Sequence, residues 1–157
     1  MKSRYKSWKF EYDFERTSDL YKKIEMPASL ECGCGPCRNF AVAKASIYPA
    51  EIRELFSKLG IEIEKEVYLV HTARKQPGFH YYSGAHVSFG RVLKGDQKKR
   101  KETAYEEVNA SFSMLISETI SLPSSSILDP HVGELFQVNF FALVPWLLAN
   151  EPEPTYG

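Results

Sequence analysis

The sequence predicts an α+β domain, a mainly antiparallel sheet with two helices placed after the first strand. Three observations predict it. Stretches alternating between apolar and polar residues stand near both ends of the chain and recur through its second half. Apolar residues at helical spacing fall between residues 38 and 59. Beyond that window strand-like segments follow one another directly, which calls for antiparallel pairing with the helices gathered on one face.

The first strand is read over Trp8 to Glu15, where aromatics take one face and charges the other. Pro27 and the run Cys32-Gly33-Cys34-Gly35-Pro36-Cys37 follow and read as a loop. A first helix is expected over Arg38 to Ser46, from Phe40, Ala43 and Ile47 at spacings of three and four. A second is expected over Pro49 to Leu59. There Ile52, Leu55, Phe56 and Leu59 form a stripe, Pro49 and Glu51 suit the first turn, and Gly60 suits the C-cap.

Strands are then expected over Val67 to Thr72 and Phe79 to Leu93, with a turn or bulge at Ser83-Gly84. Another covers Ser111 to Ser117, where Phe112, Met114 and Ile116 alternate with polar positions. The last runs from Phe136 to Val144 and ends at Pro145. No repeat or linker divides residues 1–150, so they read as a single domain. The tail, residues 151–157, carries Glu151-Pro152-Glu153-Pro154, has no apolar means of burying itself, and is expected to be extended and flexible.

A chain of 157 residues that is 43% apolar fills a core without a metal or disulfide to hold it together. Its 20 basic residues are balanced by 20 acidic ones, so it lacks the electrostatic footprint of a nucleic-acid grip. The basic run Lys98 to Lys101 reads as a solvated tip between strands. The longest apolar run, Phe140 to Ala149, contains Pro145 and falls well short of the roughly 20 residues of a membrane span. Met1 to Lys9 is basic but lacks the apolar stretch of a signal peptide. Three cysteines within six positions do not make a secreted disulfide framework, so the thiols are expected reduced or metal-bound in the cytoplasm.

Those cysteines admit three chemistries. A structural zinc site needs four ligands. Cys32, Cys34 and Cys37 supply three, and His71, His80, His86 and His131 are the candidates for the fourth, none singled out by spacing. A redox site needs only Cys34 and Cys37. The tetrapeptide Cys34-Gly35-Pro36-Cys37 is similar to the active site of the thioredoxins and precedes a helical pattern, which would make Cys34 the nucleophile and Cys37 the resolving thiol. The residues just before it, Pro27 to Gly33, are not the buried strand that the thioredoxin fold places there. In the third chemistry the thiols are reduced, partly buried fillers that anchor a loop.

The block Cys32 to Phe40, a C-x-C-x-x-C-x-N-aromatic pattern, resembles a group of small uncharacterised bacterial proteins. Further features stand in similar order: the aromatic strand before the cysteines, a Pro-initiated helix ending at Leu59-Gly60, an aromatic-glycine strand over Tyr82 to Phe89, and a terminal strand closing on Pro145-Trp146. The resemblance implies kinship of fold and no activity.

Catalytic signatures do not accompany the cysteines. No serine sits in a Gly-x-Ser-x-Gly elbow, and there is no Gly-rich phosphate loop or dinucleotide fingerprint. His80, Tyr81, Tyr82 and His86 cluster in sequence without a paired nucleophile, and His80, Tyr81, Tyr82 and Trp146 are candidates to line a small-molecule site. The expected function is a non-enzymatic module that binds a protein partner, its cysteine loop a structural element with zinc as the candidate ion. The rival is a thiol-disulfide oxidoreductase using Cys34 and Cys37.

Overall fold

The computed structural model describes residues 1–93, 105–118 and 134–155. The basic run at Lys98, the serines at 124–126 and His131 lie outside the described residues.

Strand β1 (Lys2–Tyr5) and strand β2 (Trp8–Tyr12) form a hairpin, and Trp8, Phe10 and Tyr12 are its buried residues. The strand stops short of the expected Glu15 because Asp13 caps a helix. Its carboxylate accepts from the Arg16 N–H and opens α1 (Phe14–Lys23). Three further helical segments follow: the one-turn α2 (Ala28–Glu31), α3 (Gly35–Ala43) with a 3-10 extension over Lys44–Ser46, and α4 (Ala50–Leu59). The two expected helices are α3 and α4, and the helical segments α1 and α2 accompany them. The unexpected α1 buries Thr17 and Tyr21 within its span. Helix α4 is the expected one, with Ile52, Leu55, Phe56 and Leu59 buried and Gly60 closing it at φ 85°.

The remaining strands are β3 (Tyr68–Gln76), β4 (Phe79–Val92), β5 (Glu106–Asn109), β6 (Phe112–Ser117) and β7 (Leu135–Pro145). The sheet runs β1-β2-β4-β7-β6-β5, with β3 also on β4, and every described pairing is antiparallel. Strand β4 pairs with β7 from Phe79 to Phe89. Along its other edge it meets β3 over Phe79 to Ala85 and β2 over Gly90 to Val92.

Ser83-Gly84 does not break β4. The ladder to β7 passes straight through, and the irregularities lie in β3, between His71 and Ala73 and between Arg74 and Gln76. Gly84 is instead a place of close approach: a Cβ there would stand 2.2 Å from the Phe140 ring. Gly90, at φ 142°, lets β4 pass against β2, where a Cβ would meet the Glu11 carbonyl at 2.0 Å.

Between the stretches paired with β3 and β2, the edge of β4 needs other partners, and α1 supplies them. The Tyr21 hydroxyl donates to the Val87 carbonyl at 3.0 Å and accepts from the Val87 N–H at 3.0 Å. Thr17 Oγ1 accepts from the Phe89 N–H at 3.0 Å, and the Asp13 N–H donates to the Phe89 carbonyl at 2.9 Å. Buried backbone groups need such partners, and here side chains replace the missing strand.

The helices share one face of the sheet. Phe40 of α3 lies against Tyr82 and Phe140, at 5.4 and 5.8 Å between ring centres, and Phe56 of α4 lies on His86 at 4.8 Å. Register puts Phe112 and Met114 of β6 opposite Ala142 and Phe140, so the same face continues there. Burying a ring such as Phe40 stabilises by about 2–3 kcal/mol. A buried ion pair fastens the helices to the approach to β3: Lys44 Nζ donates to Glu66 at 3.2 Å, to Ser29 Oγ at 3.2 Å and to the Glu64 carbonyl at 2.6 Å. Among the described residues no helix is long and apolar enough to cross a membrane.

Candidate metal centre

The three cysteines sit where α2 hands over to α3. Cys32 ends α2, Gly33 turns the chain at φ 68°, and Cys34 is the N-cap of α3 with Pro36 in its first turn. A side chain on Gly33 would meet nothing within 4 Å, so glycine serves the backbone's left-handed turn rather than close packing. The turn brings the sulfurs of Cys32, Cys34 and Cys37 within 4.8 Å of one another, a group that can hold a metal ion. Cys32 and Cys34 are exposed with their sulfurs 3.1 Å apart, and Cys37 is half-buried.

Their proton affinities differ for physical reasons. The Cys32 thiol is held below its ordinary range, chiefly by hydrogen bonding from Cys34. The Cys37 thiol is pushed well up, first by burial and then by hydrogen bonds to Cys32 and Cys34.

The loop is braced on several sides. Tyr82 donates its hydroxyl to the Pro36 carbonyl at 2.7 Å. Asn39, fully buried, donates to the Pro145 carbonyl at 3.0 Å and accepts from the Leu147 N–H at 2.7 Å, which staples α3 to the end of β7. Arg38 Nε donates to the Gly33 carbonyl at 3.0 Å, and its guanidinium grips both oxygens of the Glu151 carboxylate, with Nη2 to Oε2 at 2.8 Å. The Trp146 indole N–H is directed to the Leu148 carbonyl at 3.2 Å and the Glu151 carbonyl at 3.4 Å, which fixes the turn that carries Glu151.

Both glutamates of the described tail make polar contacts with the domain. Besides Glu151, Glu153 accepts from His80 Nε2 and from the Gly78 N–H, both at 2.7 Å, and from Arg74 Nε at 3.2 Å. Burial opposes ionisation of Glu153, but the Gly78 N–H, His80 and Arg74 together hold its carboxyl below the usual range. Ion pairs and backbone donors anchor residues that have no apolar surface to bury.

None of the three described histidines joins the sulfurs, and the metal-binding group among the described residues consists of the cysteines alone. His71 Nε2 faces His80 Nδ1 at 2.8 Å, and His80 is buried between that contact and Glu153. Burial, with His80 adding to it, holds the His71 imidazole below its ordinary value. His86 is fully buried among Tyr21, Tyr48, Phe56 and Phe140, its Nε2 directed to the Ile63 carbonyl at 3.2 Å. Its Nδ1 has no partner, and burial pulls its pKa down to about 3. The small-molecule lining is also split: His80 lies against Trp146 at 5.3 Å, while Tyr81 stacks on Phe141 on the opposite face of the sheet.

Sequence reasoning located the thiols and the asparagine of their pattern, Asn39, but gave no role to Arg38 or Glu151, which brace the loop. The only signal for Glu151 and Glu153 was a pair of carboxylates spaced by prolines. Chemically, three converging thiolates suit a soft or borderline cation such as zinc, whereas Cys34 and Cys37 alone make a dithiol at a helix start. Comparison with family models, curated proteins and solved structures finds no match for this chain.

Proposed function

We propose that this chain is a metal-thiolate module, in which Cys32, Cys34 and Cys37 hold one zinc ion and the loop so fixed presents a surface to a protein partner. The observation that carries the reading is the convergence of all three sulfurs within 4.8 Å. A dithiol redox reaction uses two thiols, and a third brought to the same point is explained by coordination. Large apolar side chains exposed on the elements beside the loop, Leu30, Val42 and Leu147, support a partner surface. The test is metal content after purification without chelator or histidine tag, combined with a count of reactive thiols. About one zinc per chain is expected, with thiols that react only after chelation. No metal and three freely titrating thiols would sink the reading.

One observation favours a second reading, a thiol-disulfide oxidoreductase. Cys34 caps α3 and Cys37 lies one turn inside it, the relation in which a helix start activates the first thiol. Insulin reduction that survives Cys32→Ser but is abolished by Cys34→Ser is the outcome that would establish it.

A further inference from the structure

Three cysteines leave a tetrahedral ion one ligand short, and His71, His80 and His86 are engaged elsewhere. Among the described residues, Glu151 is a distant carboxylate that the fold carries onto the cysteine loop. A Cβ built on Gly35, the residue after Cys34, would stand 3.1 Å from Glu151 Oε2. The carboxylate thus lies directly against the backbone at Gly35. Arg38 ties the arrangement together, because the same guanidinium that holds Glu151 donates to the carbonyl of Gly33, between Cys32 and Cys34. The turn bearing Glu151 is itself set by Trp146 and by the Glu151 N–H donating to the Leu148 carbonyl at 3.3 Å.

Resting on the zinc reading above, we propose that Glu151 is the fourth ligand of the cysteine centre. Its oxygens are not within the 4.8 Å cluster of the sulfurs, so coordination requires the carboxylate to turn about its own side-chain torsions. One oxygen then reaches the ion while Arg38 keeps the other, the hydrogen-bonded arrangement in which ligating carboxylates are ordinarily found. The charges suit this. A divalent ion on three thiolates carries a net negative charge, a carboxylate adds another, and the Arg38 guanidinium offsets one of them. The consequence is that the tail after β7 is part of the metal centre, although Glu151 lies more than 100 residues from the cysteines (Arg38 and Glu151 are 113 apart).

The experiment is a cobalt titration followed by absorbance, with zinc competition to give affinities, on the parent chain and on Glu151→Gln, Glu151→Cys and Glu31→Gln. Glu31 is the control, because it precedes Cys32 in sequence and is exposed on α2. If Glu151 is a ligand, Glu151→Gln weakens zinc binding by about tenfold or more. Glu151→Cys restores tight binding and shifts the cobalt spectrum to that of four thiolates, with stronger sulfur-to-cobalt charge transfer. Glu31→Gln behaves as the parent. Affinity and spectrum unchanged in Glu151→Gln would overturn the assignment, as would tighter binding, which would mean that the carboxylate merely neutralises Arg38. Loss of binding in Glu31→Gln instead would also overturn it. A parent chain that takes up no cobalt would overturn the zinc reading itself, and the assignment with it.

Discussion

His86 shows how one buried side chain sets a response to acid. Its ring is fully buried, and burial depresses its pKa to about 3, against an unfolded value of about 6.5. Between those values the unfolded chain binds a proton that the folded chain refuses. Stability from the neutral imidazole is therefore fully present above about pH 6.5 and is lost as pH falls from there towards 3. Urea unfolding from pH 7 to pH 4 is expected to show a flatter acid limb in His86→Phe than in the parent, since phenylalanine suits the surrounding rings and cannot take the proton. An unchanged limb would mean that His86 is solvated in solution. Among the residues of the candidate site, the cysteines were legible in sequence because three thiols in six positions is a chemical signal in itself. Glu151 was not legible: its role comes from Arg38 and Gly35, and no local pattern ties residue 151 to residue 35.

At the scale of elements, the strands were largely legible and α1 was not. A strand with one buried face writes a period of two into the sequence, as Phe112, Met114 and Ile116 do. Helix α1 buries a threonine and a tyrosine whose hydroxyls mend the edge of β4, and its buried face, Thr17, Tyr21 and Ile24, begins directly after the alternation of β2, which hid it. Tyr21→Phe keeps the ring and removes the hydroxyl. It is expected to cost about 1–3 kcal/mol, because the Val87 N–H and carbonyl both lose their buried partner. Equilibrium unfolding checks this, and a loss near zero would mean that water replaces the hydroxyl. The ion pair beneath α3 makes a sharper case. Lys44→Met leaves the fully buried Glu66 carboxylate without its cation, a loss of about 3–5 kcal/mol. Lys44→Met combined with Glu66→Met is expected to recover much of that loss, since a buried pair replaced by apolar residues of similar size is often neutral. A double variant no more stable than the single would show that the Glu66 bonds to Ser29, not the charge, hold the segment.

For the whole molecule, the antiparallel sheet with helices on one face followed from strands succeeding strands. Which strand lies beside which did not follow, because register and order are decided by contacts between distant segments. The core is one cluster running from Trp8 to Val144, and the cysteines are outside it. If the cysteines hold the proposed ion, stripping it is therefore expected to leave the sheet intact. Calorimetry with and without chelator should show a thermal midpoint lowered only slightly, while alkylation of Cys32 and Cys34 accelerates sharply. Unfolding of the whole chain on chelation would contradict this separation of core and loop.

Strand order also bears on how the chain is made. Strand β7 lies between β4 and β6, yet it is later in sequence than both. A ribosome that has released β6 but not β7 holds β4 and β6 each with one edge unpaired and an apolar face lacking Phe136, Val138 and Phe140. The sheet cannot close until β7 has been made. Until then the open edges of β4 and β6 are templates for pairing with other chains, a hazard that lasts as long as β7 is missing.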